Sequence, residues 1–345
     1  MTSKIQLAHD PKKVVRHLLS ALPERSKEVL TLRFGLGKST KQATLEAIGQ
    51  EYGITRERVR QIENHSLEAI RKSDEMKAEE AVLVELQGVI KDMGCVIAEN
   101  DLLDAVGSTP SIQNHVHFAL VLGEFFVQAK ETPEFQARWS VDKDITSTVE
   151  GALQNLYKNI PDDQILSEAD LIAKFLENLQ DLNEDYKKEE MLKRWLSMFK
   201  NLDRNPLGEW GRVSSSSIRA KGIRDFAYLA MKRHGSPMHF SEVAKAIAEL
   251  FGRRAHIATC HNELIKDARF VLVGRGLYAL KEWGYKTGVV RDVLKELIER
   301  EGPLTREEII DRVKKERYVK DNTILVNLND RKIFKRSADG TYSLV

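Results

Sequence analysis

Cysteine is almost missing from this sequence: Cys95 and Cys260 are the only two in 345 residues. Two isolated thiols cannot build a disulfide framework or supply paired thiolates to zinc, so each reads as a small buried hydrophobe. No run of 18 apolar residues occurs, which excludes a helical membrane span. The opening stretch MTSKIQLAHDPKK has no apolar segment behind its lysines, so it does not read as a secretory signal, and the expected compartment is the cytoplasm.

Catalytic patterns are missing too. His115 and His117 stand singly on an apolar-rich stretch, and His256, Cys260 and His261 have no second ligand cluster to complete a metal site. No Ser, His and acid set is arranged as an active site. GLGKST at 35–40 looks like the end of a phosphate-binding loop, but that pattern needs glycine where Leu32 stands. The expectation is a protein that is not an enzyme and uses no cofactor or metal.

What the chain does have is charge, unevenly placed. The net charge of +2 resolves into +6 over residues 1–73, −13 over 74–216 and +9 over 217–345. A duplex carries one negative charge per about 1.7 Å of axis, so a polyanion is attracted to the two basic ends and repelled by the middle.

Leu, Ile and Val recur at three and four residue spacings with few internal Pro or Gly, which predicts a mainly α chain with minor sheets. The serines at 214–217 read as a linker where the charge changes sign. After residue 85 one pattern recurs four times: a helix, an acidic turn with an apolar residue, further helix, then an aromatic close. The apolar-to-aromatic spacings are 37 (Leu102 to Trp139), 39 (Leu171 to Trp210), 35 (Val243 to Tyr278) and 33 (Ile309 to Tyr342). FVLVGRGLYAL reads as a hairpin turning at Gly274, Arg275 and Gly276. Three helices closed by a hairpin form a winged helix, about the smallest unit that buries its own core. The predicted domains are a helix-turn-helix at 1–73 and tandem winged helices with β-hairpin wings at 74–145, 146–213, 214–285 and 286–345.

One stretch is sharper than the rest. TLEAIGQEYGITRERVRQIE, residues 44–63, reads as helix, turn at Gly53, and a second helix capped by Thr55. Gly53 can take the positive φ a tight turn needs, Ala47 is expected to allow close helix crossing, and Leu45, Ile48, Ile54, Val59 and Ile62 supply apolar contacts. At about 100° per residue, Arg56, Glu57, Arg60 and Gln61 share one arc, with Val59 and Ile62 opposite. That exposed set suits a major groove: Arg addresses guanine, Gln addresses adenine, and Glu accepts from cytosine.

LPERSKEVLTLRFGLG followed by TLEAIGQEYGITRERVRQIENHSLEAIRK closely resembles region 4 of the sigma-70 family of bacterial transcription initiation factors, over roughly residues 20–72. The resemblance implies a module that reads the −35 promoter element and docks on the β flap of RNA polymerase, in a nucleoid-associated bacterial protein. It places Arg56, Glu57, Arg60 and Gln61 at bases, and Arg33, Thr55 and Arg58 at the sugar-phosphate backbone. The sequence departs from the family at Ser26 and in the longer connection GKSTKQA before Thr44, and nothing resembles the family's region 2, so a complete sigma factor is not expected.

Residues 217–285 resemble the HARE-HTH winged helix, through the helix at 223–234, SPMHFSEVAKAI and the FVLVGRGLYAL close. Arg253 and Arg254 precede its third helix and Arg275 tips its wing, positions that commonly meet phosphates. Lys332, Lys335 and Arg336 hold the equivalent places in the last copy. The leading expectation is a sigma-factor-like, DNA-binding transcription regulator acting on double-stranded promoter-like DNA with RNA polymerase, with no membrane partner. The alternatives are a polymerase-binding adaptor whose winged helices bind protein, and a DNA-binding accessory of a restriction or defence system.

Overall fold

The computed structural model describes residues 4–162, 164–285, 290–316, 319–337 and 339–345. The chain divides into two compact units, one of residues 1–203 and 210–213, the other of 204–209 and 214–345. No helix among the described residues is long and apolar enough to cross a membrane.

Capping chemistry sets the first helices. Asp10 accepts from the Lys12 amide and Pro11 occupies the first position of α1 (Pro11–Leu19). Next come α2 (Glu24–Phe34), α3 (Leu45–Tyr52), α4 (Arg56–Arg71) and the short α5 (Asp74–Ala78). Thr44 caps α3 by accepting from Ala47 N, and Thr55 caps α4 by accepting from Arg58 N at 3.2 Å. Gly53 ends α3 at φ 66°, the left-handed conformation that a side chain would strain.

Three helices and a small antiparallel sheet then repeat. The first set is α6 (Glu80–Asp92), β1 (Val96–Ala98), α7 (Glu99–Val106), α8 (Pro110–Leu122), β2 (Val127–Ala129) and β3 (Arg138–Ser140), with strand order β1-β3-β2. The second is α9 (Lys143–Asn159), α10 (Glu168–Glu177), α11 (Glu189–Met198), β4 (Leu202–Arg204) and β5 (Trp210–Arg212). The third is α12 (Ile223–His234), β6 (Met238–His239), α13 (Phe240–Phe251), α14 (Ile257–Lys266), β7 (Phe270–Gly274) and β8 (Leu277–Leu280), ordered β6-β8-β7. The fourth is α15 (Val290–Glu301), α16 (Arg306–Glu316), α17 (Asp321–Leu328), β9 (Phe334–Arg336) and β10 (Tyr342–Leu344). The chain is mainly α: a helix-turn-helix followed by winged-helix motifs with hairpin wings.

The repeat has a structural origin in one recurring pairing. An apolar residue just before the second helix of each set faces the aromatic of the closing strand: Ile97 and Trp139, Leu166 and Trp210, Met238 and Tyr278, Leu304 and Tyr342. Five residues further on, Leu102, Leu171, Val243 and Ile309 are each fully buried. The pairing ties the closing hairpin to the start of the second helix, and the buried residue one turn later anchors that helix to the core.

Within the first unit the motifs share cores. One apolar cluster joins Val15, Leu18, Leu30, Phe34, Leu67 and Ile70 to Leu86, Ile90, Leu102, Phe118 and Trp139. Strand β1 bridges this cluster and the next, because successive strand side chains point to opposite faces. Ile97 belongs to the first cluster, while Val96 and Ala98 belong to a second with Leu153, Phe175, Trp195 and Phe199. The helix-turn-helix keeps only a small core of its own, fully buried at Val29, Ile48 and Val59, with Leu45, Ile54 and Ile62 packed against it.

Two expectations need correction. Ala47 is exposed, and the close approach in the helix-turn-helix falls to Gly49, where an added Cβ would lie 2.7 Å from the Ile54 carbonyl oxygen. The serine run is not a solvated tether: Ser215 is buried, the Ser216 hydroxyl accepts from Arg269, and the Ser217 carbonyl accepts from Asn205. A run of polar residues suggests solvation, whereas these groups are satisfied by protein donors.

Candidate nucleic-acid interface

Helix α4 separates two faces. Val59 is fully buried and Ile62 half-buried, whereas Arg56, Glu57, Arg58, Arg60 and Gln61 are all exposed. The exposed groups are ordered by local bonds. Arg60 donates to Glu57 from Nη2 to Oε1 at 2.7 Å and from Nε to Oε2 at 2.9 Å. This guanidinium holds the Glu57 carboxyl below the usual carboxylate range, and Arg60 is raised in return. Arg58 donates to the Gln61 side-chain oxygen at 3.0 Å. The four groups expected at bases therefore stand together on one solvent-facing surface, beside a hollow lined by Gly49, Gln50, Gly53, Ile54, Thr55 and Arg58.

Arg33 is less free. Its Nε donates to Glu63 Oε1 at 3.3 Å and its Nη1 to the Ala43 carbonyl at 3.1 Å, so it clips the connection before α3 to the flank of α4. Glu63 is not singled out by the sequence, although its place three residues after Arg60 puts it on the same stripe of the helix.

The connection itself is held from an unexpected direction. Asn114, on α8, donates to the carbonyls of Gly35 (3.0 Å) and Thr40 (2.9 Å), and its oxygen accepts from Gln42 at 3.3 Å. Gly35, at φ 65°, lets the loop pass this side chain: a Cβ there would lie 2.6 Å from both Asn114 Nδ2 and the Thr40 carbonyl oxygen. A partner 79 residues from Gly35 leaves no local signal by which sequence reading could find it.

In the second unit, Arg253 and Arg254 are exposed in the segment before α14, and Arg275 is exposed at the tip of the β7–β8 hairpin. Arg253 lies over the Phe226 ring at 4.9 Å and donates to the Lys221 carbonyl. Lys332, Lys335 and Arg336 are exposed on and before β9, and Arg336 leans over the Tyr342 ring at 5.8 Å. These residues form surfaces within their own motifs.

Cys260, His115 and His117 have structural settings. Cys260 is buried, and burial pushes its thiol up to about 11. His115 is buried with Nδ1 2.6 Å from the Ser111 carbonyl oxygen. His117 lies between the Phe34 and Trp139 rings, each 6.0 Å away, where burial lowers its pKa. No group of metal-ligating side chains occurs among the described residues.

Comparison with known proteins places the segment that carries α4. The chain is 48% identical over 63 residues to the RNA polymerase sigma factor RpoS of Coxiella burnetii, a stretch that is 18% of each chain. It is 43% identical over 65 residues to the sigma factor RpoD of Helicobacter pylori, covering 19% of this chain and 10% of that one. It is 42% identical over 66 residues to the sigma factor SigA of a Bacillus species, covering 19% and 17%. The chain thus spans less than a fifth of the length of these relatives. The model of the family Sigma-70, region 4, matches residues 18–72. From the end of α1 to the end of α4, this segment is similar to sigma-70 region 4.

Proposed function

We propose that the protein is a sigma-factor-like, DNA-binding transcription regulator. It reads promoter DNA resembling the −35 element with α4 and acts in initiation together with RNA polymerase. The observation that carries this reading is the exposed face of α4, with Arg56, Glu57, Arg60 and Gln61 together on a segment that matches region 4. In a helix-turn-helix the second helix lies in the major groove, and the Arg, Glu and Gln side chains have the donors and acceptors that base edges require. Arg33, Thr55 and Arg58 then meet the sugar-phosphate backbone.

A single helix-turn-helix covers few base pairs, and operators are usually read by paired copies. The reading therefore includes a second hold. Arg253, Arg254 and Arg275, with Lys332, Lys335 and Arg336, contact phosphates without sequence preference. Linking two weak contacts in one chain raises avidity by about 10² to 10⁴. Polymerase, bound by region 4 at its β flap, is the other source of such a tether.

Selection of the full chain on a randomised duplex pool tests the reading. An enriched motif is expected. A pool that emerges without sequence bias overturns base readout, and retention of core polymerase after nuclease treatment with no duplex selection favours the adaptor instead.

A further inference from the structure

We propose that the connection between α2 and α3 is a second phosphate-binding element, in which Lys38 and Lys41 hold a DNA strand beside the major groove and Asn114 positions the loop that carries them. The inference rests on the reading of α4 as a groove-binding helix.

Three observations support it. The connection is built rather than slack. Asn114 binds the Gly35 and Thr40 carbonyls and receives Gln42, while Arg33 binds the Ala43 carbonyl and Ala43 N donates to Leu32 O at 3.0 Å. Between these fixed ends Lys38, Ser39, Thr40, Lys41 and Gln42 are all exposed, and neither lysine is in an ion pair among the described residues. By contrast, Arg33 and Arg60 are each paired with a carboxylate.

The placement follows from the dimensions of the partners. A helix 10–12 Å across fills a major groove about 12 Å wide, so whatever packs on its flank stands against a phosphodiester strand. The connection does this through Arg33, whose one guanidinium spans the Ala43 carbonyl and the Glu63 carboxylate on α4. The connection also leads directly into α3, the helix that crosses the DNA backbone in this motif. Two unneutralised ammonium groups at that place meet phosphate before any other anion.

Asn114 acts through the lysines and touches no DNA. It belongs to α8 of the neighbouring winged helix, so that motif has a part in DNA binding without presenting a reading helix.

The test uses the full chain on the duplex it selects, with affinity measured across a salt series. Each phosphate contact contributes about 0.9 to the slope of log affinity against log salt. The double variant Lys38→Ala/Lys41→Ala is expected to lose about 1.8 of slope while keeping the same preferred sequence. Asn114→Ala is expected to lose part of that slope in the parent and nothing further in the lysine-less background, the non-additivity of groups acting as a unit. An unchanged slope in the double variant overturns the phosphate contacts. An Asn114→Ala loss that persists undiminished without the lysines overturns the positioning role. If the parent chain selects no duplex, the reading of α4 itself fails and the inference falls with it.

Discussion

Glu57 and Arg60 form a two-pronged ion pair one turn apart on the exposed face of α4, with contacts of 2.7 and 2.9 Å. Exposed pairs of this kind add little to stability. What the pair does fix is orientation: Glu57 holds the guanidinium fork of Arg60 in one place. Arg60→Ala is expected to relax preference at one base pair by about 1 to 3 kcal/mol while the helix stays folded. Binding titrations on single-position duplex variants read this directly, and an unaltered preference would remove Arg60 from the reading set.

A different signature is expected in the second unit. Arg254 is exposed before α14, so Arg254→Ala should weaken binding equally for all duplexes and lower the salt slope by about 1. Arg253 also packs on Phe226. Arg253→Ala should therefore reduce thermal stability as well, by about 0.5 to 1 kcal/mol. Melting curves and salt titrations on the same samples separate the two effects, and a change of sequence preference in either variant would contradict the assignment.

The sharing of cores in the first unit makes region 4 dependent on the winged helix at its C-terminal side. Cutting after Ser73 strips the covering helices from Leu18, Leu30, Phe34, Leu67 and Ile70, all members of the joint cluster. At about 1.5 to 3 kcal/mol per fully buried side chain, exposing these five would cost up to about 15 kcal/mol, comparable with the whole stability of a domain. A fragment of residues 1–73 is expected to show poor amide dispersion and to associate, whereas residues 1–213 retain both clusters and melt cooperatively. A well-dispersed monomeric spectrum from the short fragment would refute this.

Asp225 ties the start of α12 to the strand side of its motif. Its Oδ2 accepts from the Lys221 and Gly222 amides, each at 3.1 Å, and its Oδ1 accepts from Arg269 at 2.9 Å. Burial pushes the carboxyl upward, but the two amides and the guanidinium outweigh it and hold the pKa below the usual carboxylate range. With the folded value depressed, its stabilisation is complete above the unfolded value near pH 4 and is lost as pH falls through the folded value. Asp225→Ala should cost about 2 kcal/mol at neutral pH and flatten the acid limb of the unfolding profile. Parallel acid titrations of the two proteins would expose a wrong assignment.

Gly49→Ala offers a local check on the corrected helix crossing. The new Cβ would meet the Ile54 carbonyl oxygen at 2.7 Å, which forces α3 away from the turn. A cost of about 1 to 3 kcal/mol is expected, against about zero for Ala47→Ser on the exposed side. Comparable melting losses in the two variants would return the crossing to Ala47.

The sequence by itself determined the helix-turn-helix, because its signals act over three or four residues: Thr55 bonding Arg58 N, Gly53 in the left-handed region, and apolar residues at helical spacing. It also determined the fourfold repeat, since a pairing such as Met238 with Tyr278 demands an apolar residue and an aromatic at nearly constant separation. Tertiary structure alone decided that β1 feeds two cores, that Gly49 and not Ala47 admits the neighbouring turn, and that Asn114 holds the connection before α3. Periodicity tells which face of an element is apolar but not which distant element covers it. Contacts between residues 70 or more positions apart exist only once the chain has closed around them.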